Sequence, residues 1–192
     1  RASPSELQAA GLTGDVAHSV ASGCAFEEAA AQHERLLAAG VELIPLGDSR
    51  YPRRLREIYD PPVVLFARGR VELLDTMMLA VVGTRRPTPY GVAVAERLSA
   101  DLARAGLTIV SGMARGIDTA AHRGVLNAGG DTVAVFGCGV DVVYPSENRR
   151  LAEEIARAGL LLSEFPMGAP AYPQNFPIRN RIISGMSAGV VV

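Results

Sequence analysis

The spacing of apolar residues changes near residue 41. Before it, "AFEEAAAQHERLLAAG" (25–40) repeats its apolar residues at intervals of three and four, and the shorter Ala-rich stretches ahead of it are interrupted by Gly11, Gly14 and Gly23. That period predicts short amphipathic helices with glycine stops: a small helical module over 1–40, of the SAM-like or helix-hairpin-helix sort or a simple solubilising cap. After it the apolar residues bunch together. "VELIPLGDSRYPRRLREIYDPPVVLFARG" (41–69) reads as a strand, a proline-anchored turn, a helical turn and a second strand ending in glycine, the entry to a main domain over 41–192. From Leu79 the unbroken runs "LAVVG", "LTIVSG", "DTVAVFG", "LLLSEF" and "GVVV" alternate with "PYGVAVAERLSADLARAG", "GIDTAAHRGVLNAGG", "SENRRLAEEIARAG" and "FPIRNRIISGMS". The last of these is expected to bury Ile178, Ile182, Ile183 and Met186. A strand that is apolar at every position is covered on both faces, so the pattern predicts a doubly wound, mostly parallel α/β sheet with helices on both sides. The final "VVV" stops in mid-strand with no helix to cover it, which leads to the expectation that these residues are part of a longer natural chain.

In an open parallel sheet, ligands bind where the carboxyl ends of the strands meet helix N-termini, whose free N–H groups and positive dipole ends face the crevice. "GTRRP" places Gly83 and Thr84 at one strand end with Arg85 and Arg86 beyond them, and Pro87 near a helix start. "SGMARGID" offers Ser111, Gly112, Arg115 and Gly116, with Asp118 as a helix cap. The fourth strand end leads through "SEFPMGAPAYPQNFPIRNR" to Phe176, Arg179, Asn180 and Arg181. Neighbouring strand ends lie side by side, so Arg85, Arg115, Arg179 and Arg181 are expected to converge on one groove, with Asp118 and Glu164 as the only carboxylates to offset them. Such an excess of guanidinium calls for an anionic partner. Taken singly, each loop also reads as a tight turn carrying a solvated arginine. Phe176, Tyr144 and Tyr172 are the aromatic residues near these loops, placed to stack on flat ligands or to fill the core.

Composition narrows the choices. The 192 residues carry 19 basic and 20 acidic side chains, a net charge of −1, so anion binding must come from a local cluster and not from a global field. Every basic residue is arginine, which excludes a P-loop lysine and a Schiff-base lysine and supplies planar forks suited to phosphate. Cys24 and Cys138 stand apart, without metal-ligand or disulfide spacing, which fits a reducing cytoplasm; no metal site is expected. No apolar run reaches the roughly 20 residues of a membrane span. "GCGVDV" lacks the third glycine of a dinucleotide fingerprint, so no nicotinamide or flavin cofactor is expected. Ser111 and Ser184 lie outside a G-x-S-x-G elbow, His122 sits four residues after Asp118 and within reach of a local hydrogen bond to it, and Cys138 is expected to be a small buried residue. These residues form no catalytic constellation, and we expect a binding protein without enzymatic activity.

Six segments carry a resemblance: "YPRRLREIYDPPVVLFARG", "VVGTRRPTPYG", "SGMARGIDTAAHRGVL", "AVFGCGVDVVYPSEN", "LLSEFP" and "FPIRNRIISGMS". In this order and spacing they resemble the DprA/Smf family, the DNA-processing proteins of bacterial natural transformation, from about Val41 to Val192. The resemblance implies an extended Rossmann-like domain that binds single-stranded DNA and loads the RecA recombinase onto it, working as a cytoplasmic homodimer when full length. It places the family's G-[ST]-R loop on Gly83, Thr84 and Arg85, its S-G-x-A-x-G-I-D loop on Ser111 to Asp118, and its R-N-R turn on Arg179 to Arg181. Basic positions that are lysine in many relatives are arginine here or absent, and the family's sheet domain continues beyond Val192, carrying dimer contacts and often a winged-helix-like domain.

On this reading a single strand lies across the carboxyl edge of the sheet with little sequence preference, its phosphates held by the four arginines and by helix N–H groups. About four neutralised phosphates correspond to a slope near −3 for log affinity against log salt. A different reading, a nucleotide enzyme of the phosphoribohydrolase (lysine-decarboxylase-like) class, needs a P-G-G-x-G-T-x-x-E loop, which these residues do not contain. A third makes the arginines a docking face for an acidic protein.

Overall fold

The computed structural model describes residues 2–23 and 25–192; Arg1 and Cys24, the latter one of the two cysteines expected to stand apart, lie outside the described residues. The chain divides into two compact units, Arg1–Ala38 and Ala39–Val192. The first holds α1 (Pro4–Ala9), α2 (Gly14–Ser22) and most of α3 (Phe26–Ala39). A capping box starts α1: the Glu6 N–H donates to Ser3 Oγ at 3.3 Å and the Ser3 N–H donates to Glu6 Oε2 at 2.7 Å. Gly23, at φ 71°, ends α2 in the left-handed conformation that glycine adopts without strain.

The second unit opens with β1 (Val41–Pro45), the single turn α4 (Arg53–Arg56) and β2 (Val64–Gly69). It continues as β3 (Met78–Val81), α5 (Pro89–Arg104), β4 (Thr108–Ser111), α6 (Ile117–Asn127), β5 (Thr132–Phe136), α7 (Arg149–Ala158), β6 (Leu160–Ser163), α8 (Asn175–Met186) and β7 (Val190–Val191). Thr88 sets the start of α5 by accepting the Gly91 N–H at 3.1 Å, with Pro89 in the first turn where its missing N–H costs nothing. The stretch expected as one helix from Ser146 begins instead with a 3-10 turn over Ser146–Asn148, and a second 3-10 turn, Val71–Asp75, precedes β3. No helix among the described residues is long and apolar enough to cross a membrane.

The seven strands form one sheet in the order β1-β2-β6-β5-β4-β3-β7. The five strands from β6 to β7 run parallel, while β1 and β2 add an antiparallel edge, so the sheet is mostly parallel. Alternate residues of the apolar runs serve opposite faces. Ala80, Val110, Val133, Val135 and Leu162 pack with Leu55 of α4 and with Ile182, Ile183 and Met186 of α8, whereas Val81 and Ile109 pack with Ala121 and Val125 of α6. Each fully buried leucine or isoleucine contributes about 1.5–3 kcal/mol to this two-sided core. Ile178 departs from expectation: it is 47% exposed, because the buried face of α8 runs through Asn175, Arg179, Ile182, Ile183 and Met186 and Ile178 lies off it.

Candidate functional site

The strands from β3 to β6 are laid down in one direction across the sheet, and β7 then returns to the other side of β3. The loop leaving β3 runs towards β4 and away from β7, and a crevice opens at the carboxyl ends of β3 and β7. A cavity of about 630 Å³ occupies this position, lined by Gly83, Arg85, Phe176, Arg179, Arg181 and Val190 among others.

The β3–α5 loop forms one wall. Its conformation is set from within and from the neighbouring loop: Thr84 Oγ1 accepts the Arg86 N–H at 3.1 Å, and the Thr84 carbonyl accepts the Ile117 N–H at 3.2 Å. Arg85 and Arg86 are exposed, and neither stands in an ion pair among the described residues. The Arg85 guanidinium lies over the Phe176 ring, 5.9 Å from its centroid, and Phe176 in turn packs at 5.3 Å and 35° against Tyr144. Cation, ring and ring thus make a stepped platform at the mouth of the cavity.

The β4–α6 loop forms the floor. Ser111 is a strut and not a ligand-facing group, since its buried hydroxyl donates to the Val81 carbonyl at 2.6 Å and ties β4 to β3. Met113 holds φ 60°, an uncommon conformation for a residue with a side chain, and three hydrogen bonds involving two side chains brace it there. Asp118 accepts the N–H groups of Gly112 at 3.1 Å and Ala114 at 3.3 Å, while Asn148 Nδ2 donates to the Met113 carbonyl at 2.9 Å. The expected role of Asp118 as cap of α6 is therefore corrected: Gly116 holds the cap position, and the carboxylate fills the ring of N–H groups from the loop before it. Burial pushes the Asp118 carboxyl upward, opposed by the N–H of Ala114, the Arg179 guanidinium and the N–H groups of Gly112 and Gly83. The local bond expected between Asp118 and His122 is absent for the same reason. His122 instead faces Thr132, Nδ1 to Oγ1 at 2.7 Å, in the α6–sheet interface, where burial drives its pKa down to about 3.

The first turns of α8 supply the remaining groups, and they diverge. Arg179 is buried; its Nη1 donates to the carbonyl of Gly112 at 2.8 Å and to that of Val135, and its Nε donates to Asn180 Oδ1 at 3.3 Å. Gly112 makes room for it, since a Cβ there would sit 2.6 Å from Arg179 Nη2. Burial lowers the Arg179 pKa to about 10, with Asp118 pulling it the other way, so the group stays charged at neutral pH. Arg181, two positions on, turns to Glu164, which takes both of its terminal nitrogens at 2.7 and 2.6 Å, while its Nε donates to Asp60 at 3.3 Å.

Three of the four expected arginines, Arg85, Arg179 and Arg181, line the main cavity. Arg115 does not; it lines a small adjoining recess with Arg85, Tyr144 and Phe176 and is paired with Glu147. The expectation that Asp118 and Glu164 are the only offsetting carboxylates is corrected by Glu147 and Asp60. Among the described residues the unpaired charge at the mouth rests on Arg85; Arg86, next to it in the chain and also unpaired, is exposed but lines neither space. Gly83, Thr84 and Asn180 line the cavity, and Gly116 closes the floor behind it. Tyr172 is exposed but lines neither space. Cys138 is buried, its thiol donating to the Val142 carbonyl at 2.9 Å, and burial raises its pKa to about 11, which makes it unreactive.

The family model for DNA recombination-mediator protein A matches residues 42–192. The DNA processing protein DprA of Bacillus subtilis (strain 168) is 45% identical over 163 residues, which cover 82% of this chain and 55% of the relative. The DNA processing protein DprA of Streptococcus pneumoniae (strain ATCC BAA-255 / R6) is 47% identical over 145 residues, 76% of this chain and 51% of the relative. The chain spans about half the length of these curated relatives. Among solved structures, the X-ray structure of DNA processing protein A from Streptococcus pneumoniae is similar at a TM-score of 0.75 and 45% identity, covering 78% of this chain and 52% of that one. A structure of DNA processing protein A from Helicobacter pylori, solved for insight into its single-stranded DNA binding mode, is similar at 0.71 and 34% identity, covering 78% and 67%.

Proposed function

The chain belongs to the DNA recombination-mediator protein A family, the DprA/Smf proteins, and from that membership we propose that it binds single-stranded DNA across the carboxyl edge of its sheet. The observation that carries this reading is the platform at the cavity mouth: an unpaired Arg85 over Phe176, with Tyr144 beyond. Guanidinium groups that lack a carboxylate take phosphate, and flat rings take bases of any identity, so the strand is held without regard to sequence. Arg179 and Asp118 keep the two loops rigid beneath it. The Helicobacter pylori relative, described for its single-stranded DNA binding, lends support from within the family. Family kinship alone supports three further parts of the proposal: RecA recombinase as the protein onto which the strand is loaded, a homodimer of the full-length chain, and a cytoplasmic setting in DNA processing and natural transformation. The activity is binding, not turnover.

Titration of fluorescent oligo-dT tests it. Arg85→Ala weakens binding by about five- to thirtyfold, the loss of one charge-assisted contact and one cation–π pair, equally for all sequences. Because Arg85 and Arg86 are, among the described arginines of these loops and of α8, the two whose guanidinium groups have no hydrogen-bonded partner, the slope of log affinity against log salt lies at about −1.4 to −2.1, two to three contacts at 0.7 each, and not near −3. Equal affinity of the Arg85→Ala variant, or preference for a matched duplex over oligo-dT, overturns the reading.

A further inference from the structure

Two arginines of the cleft are already occupied by carboxylates, and the two pairs are built differently. Arg181 and Glu164 are only 25% and 14% exposed and meet through two parallel hydrogen bonds, a pairing that an incoming anion does not readily undo. Arg115 and Glu147 are 60% and 50% exposed and meet through Nε alone, and an ion pair so open to water is weak enough to exchange.

Glu147 is not held in place by Arg115. It sits in the 3-10 turn Ser146–Asn148, and Asn148 beside it anchors that turn by donating to the Met113 carbonyl and to Thr119 Oγ1, each at 2.9 Å. The turn that carries Glu147 is therefore tied to the very loop that carries Arg115, and Arg115 borders the recess it shares with Arg85, Tyr144 and Phe176.

We propose that Glu147 is an internal stand-in for phosphate: it occupies Arg115 in the free protein and yields it to a bound single strand, so that the cleft accepts polyanions and rejects isolated phosphate. The proposal rests on the single-strand reading above. A lone phosphate that reaches Arg115 gains one ion pair and breaks another, with nothing left over to offset its own ordering. A strand already held at Arg85 and Phe176 presents its next phosphate at high effective concentration, and the exchange then goes forward. Glu147 is in this sense a specificity-determining residue that need not touch the ligand.

The test compares wild type, Glu147→Gln, Arg115→Ala, the double variant and Glu153→Gln, which makes the same charge change on an exposed position of α7. Oligo-dT is titrated over a range of salt, with inorganic phosphate as competitor. Glu147→Gln is expected to bind oligo-dT about three- to tenfold more tightly at the same salt slope, because the bound strand engages Arg115 in both proteins, and to be inhibited by phosphate at lower concentration. Glu153→Gln changes neither affinity nor phosphate inhibition, and the gain vanishes when Arg115 is also removed. Equal or weaker binding by Glu147→Gln, or a gain that persists without Arg115, overturns the proposal while wild-type binding keeps the single-strand reading intact. Absence of oligo-dT binding in wild type overturns both.

Discussion

Arg179 bears on the cleft as a clamp. Its Nη1 donates to the Gly112 and Val135 carbonyls at once, and so ties the end of β4 to β5 from a helix packed against the sheet. Arg179→Ala leaves those acceptors unsatisfied in a buried place, at a cost of roughly 2–4 kcal/mol, and lowers the thermal midpoint by about 5–10 °C. Arg85→Ala, at an exposed position, leaves the midpoint within about 2 °C. Differential scanning calorimetry separates the two; an unchanged midpoint with lost DNA binding moves Arg179 from scaffold to ligand contact. The divergence of Arg179 and Arg181 was available to sequence reasoning, since residues two apart on a helix are about 200° apart around its axis. Their partners were not.

Loops and helices show how the site is kept open. The β3–α5 and β4–α6 loops touch where Gly116, at φ 80°, lies against the Thr84 carbonyl, and a Cβ at that position would fall onto that oxygen. Gly116→Ala combines backbone strain with this clash and pushes the Arg85 wall away from the floor. The expected outcome is a loss of about 2–4 kcal/mol in urea unfolding, together with weaker oligo-dT binding; an unchanged urea midpoint contradicts the close approach. "SGMARGID" announced a tight glycine turn at this place. That Asp118 turns back into its own loop, and that Asn148 docks the turn before α7 onto Met113, follows from the packing of α6 against α7 and left no periodic trace in the chain.

At the scale of the whole molecule, acid stability draws on one buried histidine as well as on paired surface carboxylates such as Asp48, held low by Arg50. His122 is fully enclosed with its Nε2 unpartnered, and its pKa falls from 6.5 unfolded to about 3 folded. The unfolded chain therefore binds the extra proton, so this contribution to stability is present above pH 6.5 and is lost as pH falls from 6.5 towards 3, at about 1.4 kcal/mol per pH unit. Asp118, raised by burial, acts in the opposite sense, gaining stability as pH falls. Denaturant unfolding of wild type and His122→Gln across this window isolates the histidine: the variant curve falls less steeply, and parallel curves refute the assignment.

By itself the amino-acid sequence determined the order of strands and helices and the place of the glycine–arginine loops, because burial on both faces of a strand and the backbone freedom of glycine are local properties written into short runs. Tertiary structure alone decided which arginines remain free. The carboxylates that occupy Arg181 lie 17 and 121 positions away in the chain and that of Arg115 lies 32 away, and Coulomb attraction follows separation in space, which no local pattern records.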